Sequence, residues 1–191
     1  MMKKNYTFLL AIAVFFWVAS IAMSASVPPP VGGVLPEFSL TTPKDRGERN
    51  YLNLSFFSMS FKIPDLKTQV VLIEIFSMYC PYCQAEAPNV NRLYEKIEAS
   101  PTLKGKIKVI GIGVGNSPFE VGVFKKKYNI SFPLFPDGDF KIHQLMGEVR
   151  TPYFIGVKIN SDGSHRVFYS RLGALGNVDQ FLYEIGKLSG I

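Results

Sequence analysis

Cysteine is scarce in this sequence. The 191 residues include only two cysteines, Cys80 and Cys83, which lie three positions apart. A small secreted domain that depends on disulfide bonds has several cysteines distributed along the chain. A bond between cysteines this close together adds little stability, because the stabilisation grows with the length of the loop that is closed. The scarcity of cysteine therefore argues against a disulfide framework and indicates that this pair serves chemistry.

Histidine is equally rare, and His143 and His165 are the only two in the chain. A zinc site would need two ligands besides the cysteine pair, and these histidines lie in unrelated sequence surroundings. Covalent haem attachment would need a histidine directly after Cys83, where the chain has Gln84. The sequence therefore predicts no metal and no cofactor apart from a redox-active disulfide between Cys80 and Cys83.

The chain also lacks strong charge clusters and nucleotide-binding patterns. The formal net charge is +6, and the single run of cations, at 125–127, is typical of a solvated helix face. Nucleic acid is therefore not an expected partner. The glycines at 111, 113 and 115 do not have the G-x-G-x-x-G spacing of a dinucleotide site and favour close packing at a strand end.

The N-terminus has the features of an export signal. Lys3 and Lys4 precede an apolar run over 6–23, and small residues follow up to Ser26. The run is nearly long enough to span a bilayer, so residues 1–26 are predicted to be either a cleaved signal peptide or an uncleaved signal anchor. Residues 27–33 are predicted to be a linker and residues 34–191 a single domain. Both alternatives imply a periplasmic or other extracytoplasmic location.

Hydrophobic periodicity divides this domain into strands and helices. Continuous apolar runs at 70–76 and 107–114 are typical of strands buried on both faces. Alternation at 57–63 favours a half-buried strand, and the polar stretch 41–50 favours a loop. The other predicted strands cover 35–40, 132–135, 153–159 and 166–170, and the predicted helices cover 80–99, 119–128, 140–146 and 178–188. This order predicts an α/β fold with a central mixed β-sheet flanked by helices.

The cysteine pair lies where the strand at 70–76 leads into the helix at 80–99. A helix N-terminus offers unpaired N–H groups and the positive end of the helix dipole, and both favour a thiolate at Cys80. Cys83 lies one turn further and can close the disulfide or resolve a mixed one. Pro81 stiffens the turn and Tyr82 helps to set the redox poise. The pattern predicts thiol–disulfide exchange.

One acid interrupts the apolar run at 70–76. Glu74 is expected to be buried, and burial raises the pKa of a carboxyl group. A buried acid on the strand that delivers the cysteines can exchange a proton with Cys83 when a mixed disulfide resolves. Glu74 is therefore a candidate general acid or base.

The stretch LIEIFSMYCPYCQAEAP at 72–88 resembles the active-site strand and helix of thioredoxin-like proteins. Glu74 matches the buried acid of that family, Cys80 and Cys83 match its dithiol, and Pro88 matches its helix-kinking proline. The resemblance implies a thioredoxin-like fold and the activity of a protein-disulfide oxidoreductase.

Thr151-Pro152, followed by a predicted strand, resembles the cis-proline loop of the same family. The resemblance implies that this loop lies against the dithiol and offers backbone groups to a substrate chain. Pro81 and Tyr82 are then expected to contact the substrate as well.

Further motifs resemble the exported TlpA/ResA-like branch of the redoxin superfamily. The segment 33–40 is similar to the N-terminal strand motif of that branch, and 116–135 is similar to its inserted helix–strand unit. Glu86 matches an acid that the branch has in its active site, which implies that Glu86 tunes the thiols. The chain departs from the branch at Tyr79, where the branch usually has tryptophan.

Several functions remain open on this basis. The resemblance implies a reductant of disulfides in exported proteins, for example apocytochrome cysteines during cytochrome c maturation, fed by a membrane electron donor. An oxidase or isomerase of DsbA type would differ only in redox poise and would use a membrane acceptor. A copper-binding chaperone would need C-x-x-x-C and a downstream histidine, for which His143 is the candidate. A thiol peroxidase would have proline where this chain has Ile73.

Overall fold

The structure is a computed structural model that describes residues 27–191, so the predicted signal segment at 1–26 lies outside the described residues. The strands are β1 (Leu40–Thr41), β2 (Ser60–Phe61), β3 (Val70–Phe76), β4 (Ile107–Val114), β5 (Leu134–Asp137), β6 (Tyr153–Ile159) and β7 (His165–Leu172). The helices are α1 (Arg46–Tyr51), α2 (Pro81–Ala99), α3 (Pro118–Lys127), α4 (Lys141–Leu145) and α5 (Val178–Ser189), with a 3-10 helix at Ile63–Asp65.

Five strands form the central sheet in the order β5-β4-β3-β6-β7. β4 runs parallel to both β3 and β5, whereas β6 runs antiparallel to both β3 and β7. β3 is the middle strand, which explains why its sequence is apolar on both faces. The sheet confirms the predicted α/β class and the mixed arrangement, and α3 with β5 occupies the position of the predicted helix–strand unit.

Side chains of β3 alternate between two separate hydrophobic cores. The odd-numbered residues Val71, Ile73 and Ile75 face a core formed with α1, α4 and the small β1–β2 sheet. The even-numbered residues Val70, Leu72 and Phe76 face a core formed with α2, α3 and α5. Glu74 belongs to the even-numbered set, so its side chain is directed to the face that α2 covers.

The N-terminal part of the domain differs from the prediction. The predicted strand at 35–40 and the predicted strand at 57–63 are reduced to two-residue strands, β1 and β2, which pair with each other and not with the central sheet. Phe57 and Met59 are almost fully exposed, whereas Phe61 and Ile63 are buried, so the alternation at 57–63 reflects a buried face only in its second half. The predicted loop 41–50 contains most of α1, which Asp45 begins by accepting a hydrogen bond from the Glu48 N–H.

Residues 27–33, which the sequence predicted as a linker, lie against the domain. The Gly32 N–H donates to the Val167 carbonyl at 2.8 Å, and the Val167 N–H donates to the Gly33 carbonyl at 2.9 Å. Pro29 is buried, and the backbone at Val27 closely approaches Gly147, two residues after α4. Within residues 27–191, none of the helices combines the length and the apolar character needed to cross a membrane.

Candidate functional site

Cys80 is the N-cap residue of α2, with extended backbone angles of φ −81° and ψ 115°. β3 ends at Phe76, and the Cys80 N–H donates to the Ser77 carbonyl at 3.0 Å, so a short turn connects strand and helix. Pro81 is the first helical residue, a position where the missing N–H costs no helical hydrogen bond. The Cys80 thiol therefore lies beside the unpaired N–H groups and the positive dipole of a long helix.

The two thiols differ in exposure and in pKa. Cys80 is partly exposed, whereas Cys83, one helical turn further, is fully buried. Partial burial opposes ionisation of Cys80, but hydrogen bonds from the Thr151 side chain, from Cys83 and from the Tyr82 backbone outweigh it and lower the pKa of Cys80 below its ordinary value. Burial raises the pKa of Cys83 far above its ordinary value. Cys80 is therefore the thiol that ionises first, and Cys83 keeps its proton.

Glu74 is buried next to the dithiol, as predicted, with 3% of its surface exposed. Burial, together with the nearby charges of Glu86 and Cys80, raises the pKa of its carboxyl group to about 8. Among the described residues, Oε1 of Glu74 has no hydrogen-bond partner. The charge of Glu74 also contributes to the raised pKa of Cys83. The two groups are thus coupled electrostatically inside the same core.

Glu86 is buried in α2, three residues after Cys83. Its Oε1 accepts a hydrogen bond from the Leu175 N–H at 2.9 Å, and its Oε2 accepts one from the Asn89 side chain at 3.3 Å. These contacts tie α2 to the segment between β7 and α5. The effect of Glu86 on the site is electrostatic, because its charge raises the pKa of Glu74.

The loop before β6 lies over the dithiol. The Thr151–Pro152 peptide bond is cis, as the resemblance implied. The Cys80 thiol donates to the Thr151 carbonyl oxygen, with 3.3 Å between Sγ and O. Pro152 is buried, and the exposed Tyr82 lines the same cleft as Thr151 and Pro152. Contact of these residues with a substrate stays a prediction.

Two polar side chains that the sequence did not single out hold the turn before Cys80. The Asn116 Oδ1 atom accepts a hydrogen bond from the Met78 N–H at 2.8 Å, and the Gln84 side chain donates to the Met78 carbonyl at 2.8 Å. Asn116 is fully buried. It lies two residues after the end of β4, and the carboxyl ends of neighbouring parallel strands meet at one edge of a sheet. Its position after that strand is the signal that identifies it.

Metal-ligating side chains are not clustered in the described part of the chain. Within residues 27–191 there is no group of three or more His, Cys, Asp or Glu side chains that could hold a metal ion. A ring nitrogen of His143, the candidate copper ligand, hydrogen-bonds the Val149 carbonyl at 2.9 Å. His165 lies 3.4 Å from the Leu35 carbonyl. Both histidines are therefore engaged with backbone groups.

Comparison with known sequences gives one family and a consistent set of relatives. The AhpC/TSA family matches residues 31–170. A relative from Oceanobacillus iheyensis called thiol-disulfide oxidoreductase ResA is 23% identical over 155 residues, which cover 80% of this chain and 73% of the relative. A protein of the same name from Bacillus cereus is 27% identical over 93 residues, which cover 49% of this chain and 51% of that protein.

Solved structures share the fold at low sequence identity. A secreted Mycobacterium tuberculosis disulfide oxidoreductase, described as homologous to E. coli DsbE, superimposes with a TM-score of 0.53 at 19% identity and covers 81% of this chain and 96% of its own. StoA from Bacillus subtilis has a TM-score of 0.54 at 19% identity, and the match covers 80% of this chain and 97% of StoA. These neighbours establish the thioredoxin-like fold.

Proposed function

This chain belongs to the AhpC/TSA family, and from that premise we propose that it is a thiol–disulfide oxidoreductase that exchanges disulfides with protein substrates through Cys80 and Cys83. The observation that carries the proposal is the contrast between the two thiols. Cys80 is accessible at the start of α2 with a lowered pKa, and Cys83 is buried behind it with a raised pKa. An attacking thiolate and a protonated resolving thiol are the two groups that this exchange needs.

In the reducing direction, the Cys80 thiolate attacks one sulfur of a substrate disulfide. A Cys80–substrate bond forms, the substrate S–S bond breaks, and the released substrate thiolate takes up a proton from solvent. Cys83 then loses its proton and attacks the Cys80 sulfur, which releases the second substrate thiolate. The substrate gains two electrons and the dithiol becomes the Cys80–Cys83 disulfide.

Glu74 is the group that we assign to the proton of Cys83. Its carboxyl pKa of about 8 lies near neutral pH, which is the range in which one group serves both as acid and as base. It accepts the Cys83 proton when the mixed disulfide resolves, and it returns a proton to Cys83 when the disulfide is reduced again. Glu86 supports this role by keeping the Glu74 pKa high.

We further propose that the protein acts outside the cytoplasm as a reductant, supplied with electrons by a membrane donor. The N-terminal sequence pattern supports export, and the names of the ResA relatives support the oxidoreductase activity. Cytochrome c maturation is the proposed pathway, with apocytochrome cysteines as substrates. An oxidase or isomerase is the second candidate, favoured by the lowered Cys80 pKa, because stabilising the thiolate stabilises the reduced form.

The reduction potential of the Cys80–Cys83 couple tests the proposal and separates the two candidates. The full chain is equilibrated against glutathione and dithiothreitol buffers, and the dithiol fraction is read from trapped thiols. A potential of about −270 mV or lower supports a reductant, whereas a potential near about −120 mV makes the protein an oxidase. The Cys83→Ser variant serves as the control that forms no internal disulfide. The absence of a reversible couple in the wild-type protein would refute both candidates.

A further inference from the structure

Two open clefts lie on either side of the loop at Thr151. The first, of about 460 Å³, is bordered by Tyr79, Phe140 and His143 and by the ends of β3 and β4. The second, of about 390 Å³, is bordered by Tyr82, Glu86 and the segment after β7. Arg150 and Thr151 line both clefts. The two clefts therefore adjoin at these two residues.

The Cys80 sulfur contacts a residue that the two clefts share. It is 3.3 Å from the carbonyl oxygen of Thr151, which is one of the two residues common to both. A substrate sulfur that bonds to Cys80 is therefore held beside Thr151, which borders both clefts.

Arg150 is the exposed cation of this surface. It is solvent-exposed, and within residues 27–191 it forms no ion pair. One acid, Glu86, lines the second cleft, and Glu120 contacts Tyr79 of the first, but both are engaged elsewhere. Glu86 is buried and accepts hydrogen bonds from α2 and from the segment after β7, while Glu120 accepts hydrogen bonds from Tyr79 and Ser117.

The exposed aromatic rings around Arg150 make this surface suited to a polypeptide. Tyr79, Tyr82 and Phe140 are exposed at 64%, 76% and 46% respectively. The ring of Phe140 packs on the backbone of Gly115, which fixes one wall of the first cleft. Aromatic residues and arginine are the residue types that contribute most to protein–protein binding. An arginine with no acidic partner adds a preference for charge.

We propose that Arg150 selects substrate polypeptides in which an acidic residue flanks the cysteine that reacts with Cys80. This inference rests on the proposed thiol–disulfide exchange and adds the class of substrate. Because Arg150 lines both clefts, an acid on either side of the substrate cysteine is favoured. The contribution of a solvent-exposed ion pair corresponds to a rate preference of about two- to fivefold.

The test uses peptides that carry one cysteine as a mixed disulfide with the neutral leaving group 2-thiopyridine. Aspartate, asparagine or lysine is placed directly before or directly after that cysteine. The full chain is first reduced and freed of reductant. Cys80 attacks the peptide sulfur and releases 2-thiopyridone, and Cys83 then releases the peptide thiol as the protein disulfide forms. The rate of thiopyridone release is recorded for each peptide.

For the wild-type protein we expect aspartate peptides to react about two- to fivefold faster than asparagine peptides, and lysine peptides to react more slowly. Arg150→Ala is expected to lose this order, and Arg150→Glu to invert it. Arg166→Ala removes the same charge from the far end of β7 and is expected to keep the wild-type order. Raising the salt concentration should reduce the preference in the wild-type protein.

Equal rates for all wild-type peptides, or an aspartate preference that survives in Arg150→Ala, would overturn the proposal. The neutral reagent 2,2′-dipyridyl disulfide separates this failure from failure of the proposed function. If the protein reacts with that reagent but shows no charge preference among the peptides, only the role of Arg150 is refuted. A reduced wild-type protein that reacts with neither the reagent nor the peptides contradicts thiol–disulfide exchange itself.

Discussion

Replacement of Glu74 by glutamine is expected to change how stability depends on pH. The carboxyl pKa is about 8 in the folded protein, compared with an ordinary value of 4.5. Between these values the folded chain keeps a proton that the unfolded chain has released. The free energy of unfolding of the wild-type protein therefore falls by about 1.4 kcal/mol per pH unit because of this group.

The size of the effect follows from the width of that pH range. Below pH 4.5 the carboxyl group is protonated in both states, and its ionisation costs no stability. As the pH rises to about 8 the cost grows to about 5 kcal/mol, and above that value it stays constant. Glutamine has the shape of the acid but does not ionise. The stability of the Glu74→Gln variant relative to wild type should therefore increase by about 5 kcal/mol from acidic to alkaline pH.

Denaturant unfolding of the reduced proteins between about pH 4 and pH 9 measures this difference, because other titrating groups are common to both proteins. A fixed cost of burying the amide shifts all points equally, so the slope is the quantity to compare. Leu72→Ala, a neutral core substitution in the same strand, should lower stability by an amount that does not change with pH. Parallel stability curves for wild type and Glu74→Gln would refute the burial argument.

Three further experiments test other parts of the structure. Iodoacetamide should alkylate Cys80 but not Cys83 in the reduced folded protein, at a pH below the ordinary thiol pKa, and mass spectrometry would identify the modified residue. Gly147→Ala should destabilise the fold by about 2–4 kcal/mol, because the new Cβ meets the backbone at 27–28 and φ is +82°. Gly163 has φ +84° and open space around it, so Gly163→Ala should lose only the stability that the strained backbone angle costs. Equal losses of stability for the two variants would contradict the close contact of Gly147 with the backbone at 27–28. Asn116→Ala leaves the partly buried Met78 N–H unpaired and should cost about 1–3 kcal/mol in denaturant unfolding, so an unchanged midpoint would argue against the hydrogen bond.

The strand predictions from sequence are most accurate where the strand is most completely buried. The strands predicted at 70–76 and 107–114 coincide with β3 and β4, because a strand covered on both faces has an apolar sequence from end to end. The prediction was two residues early at β5, where Phe132 is fully buried but precedes the strand. It failed at β1 and β2, whose short pairing depends on contacts with each other. Local hydrophobicity reports burial, and it does not report which backbone groups pair.

The residues of the candidate site also differ in whether the sequence could predict them. Cys80, Cys83 and Glu74 could be identified because each depends on one strand and the helix that follows it. The position of Pro152 required a family resemblance, since a loop that begins 71 residues after Cys80 has no local signal that places it over a thiol. Arg150 gave no signal, because its importance comes from the two clefts that meet at Thr151.

The functional difference between the two cysteines follows from where each lies relative to the start of one helix. Cys80 precedes the first turn, so it receives backbone N–H groups and stays accessible, whereas Cys83 lies one turn inside and is covered by the core. The strand that delivers them also places the acid, because side chains alternate along β3. A glutamate moved to the position of Ile73 or Ile75 would be equally buried but would face the core on the side of α1 and α4. It would be separated from Cys83 by the sheet itself, and it could not exchange a proton with that thiol. The register of β3 is therefore as much a part of the proposed chemistry as the spacing of the cysteines.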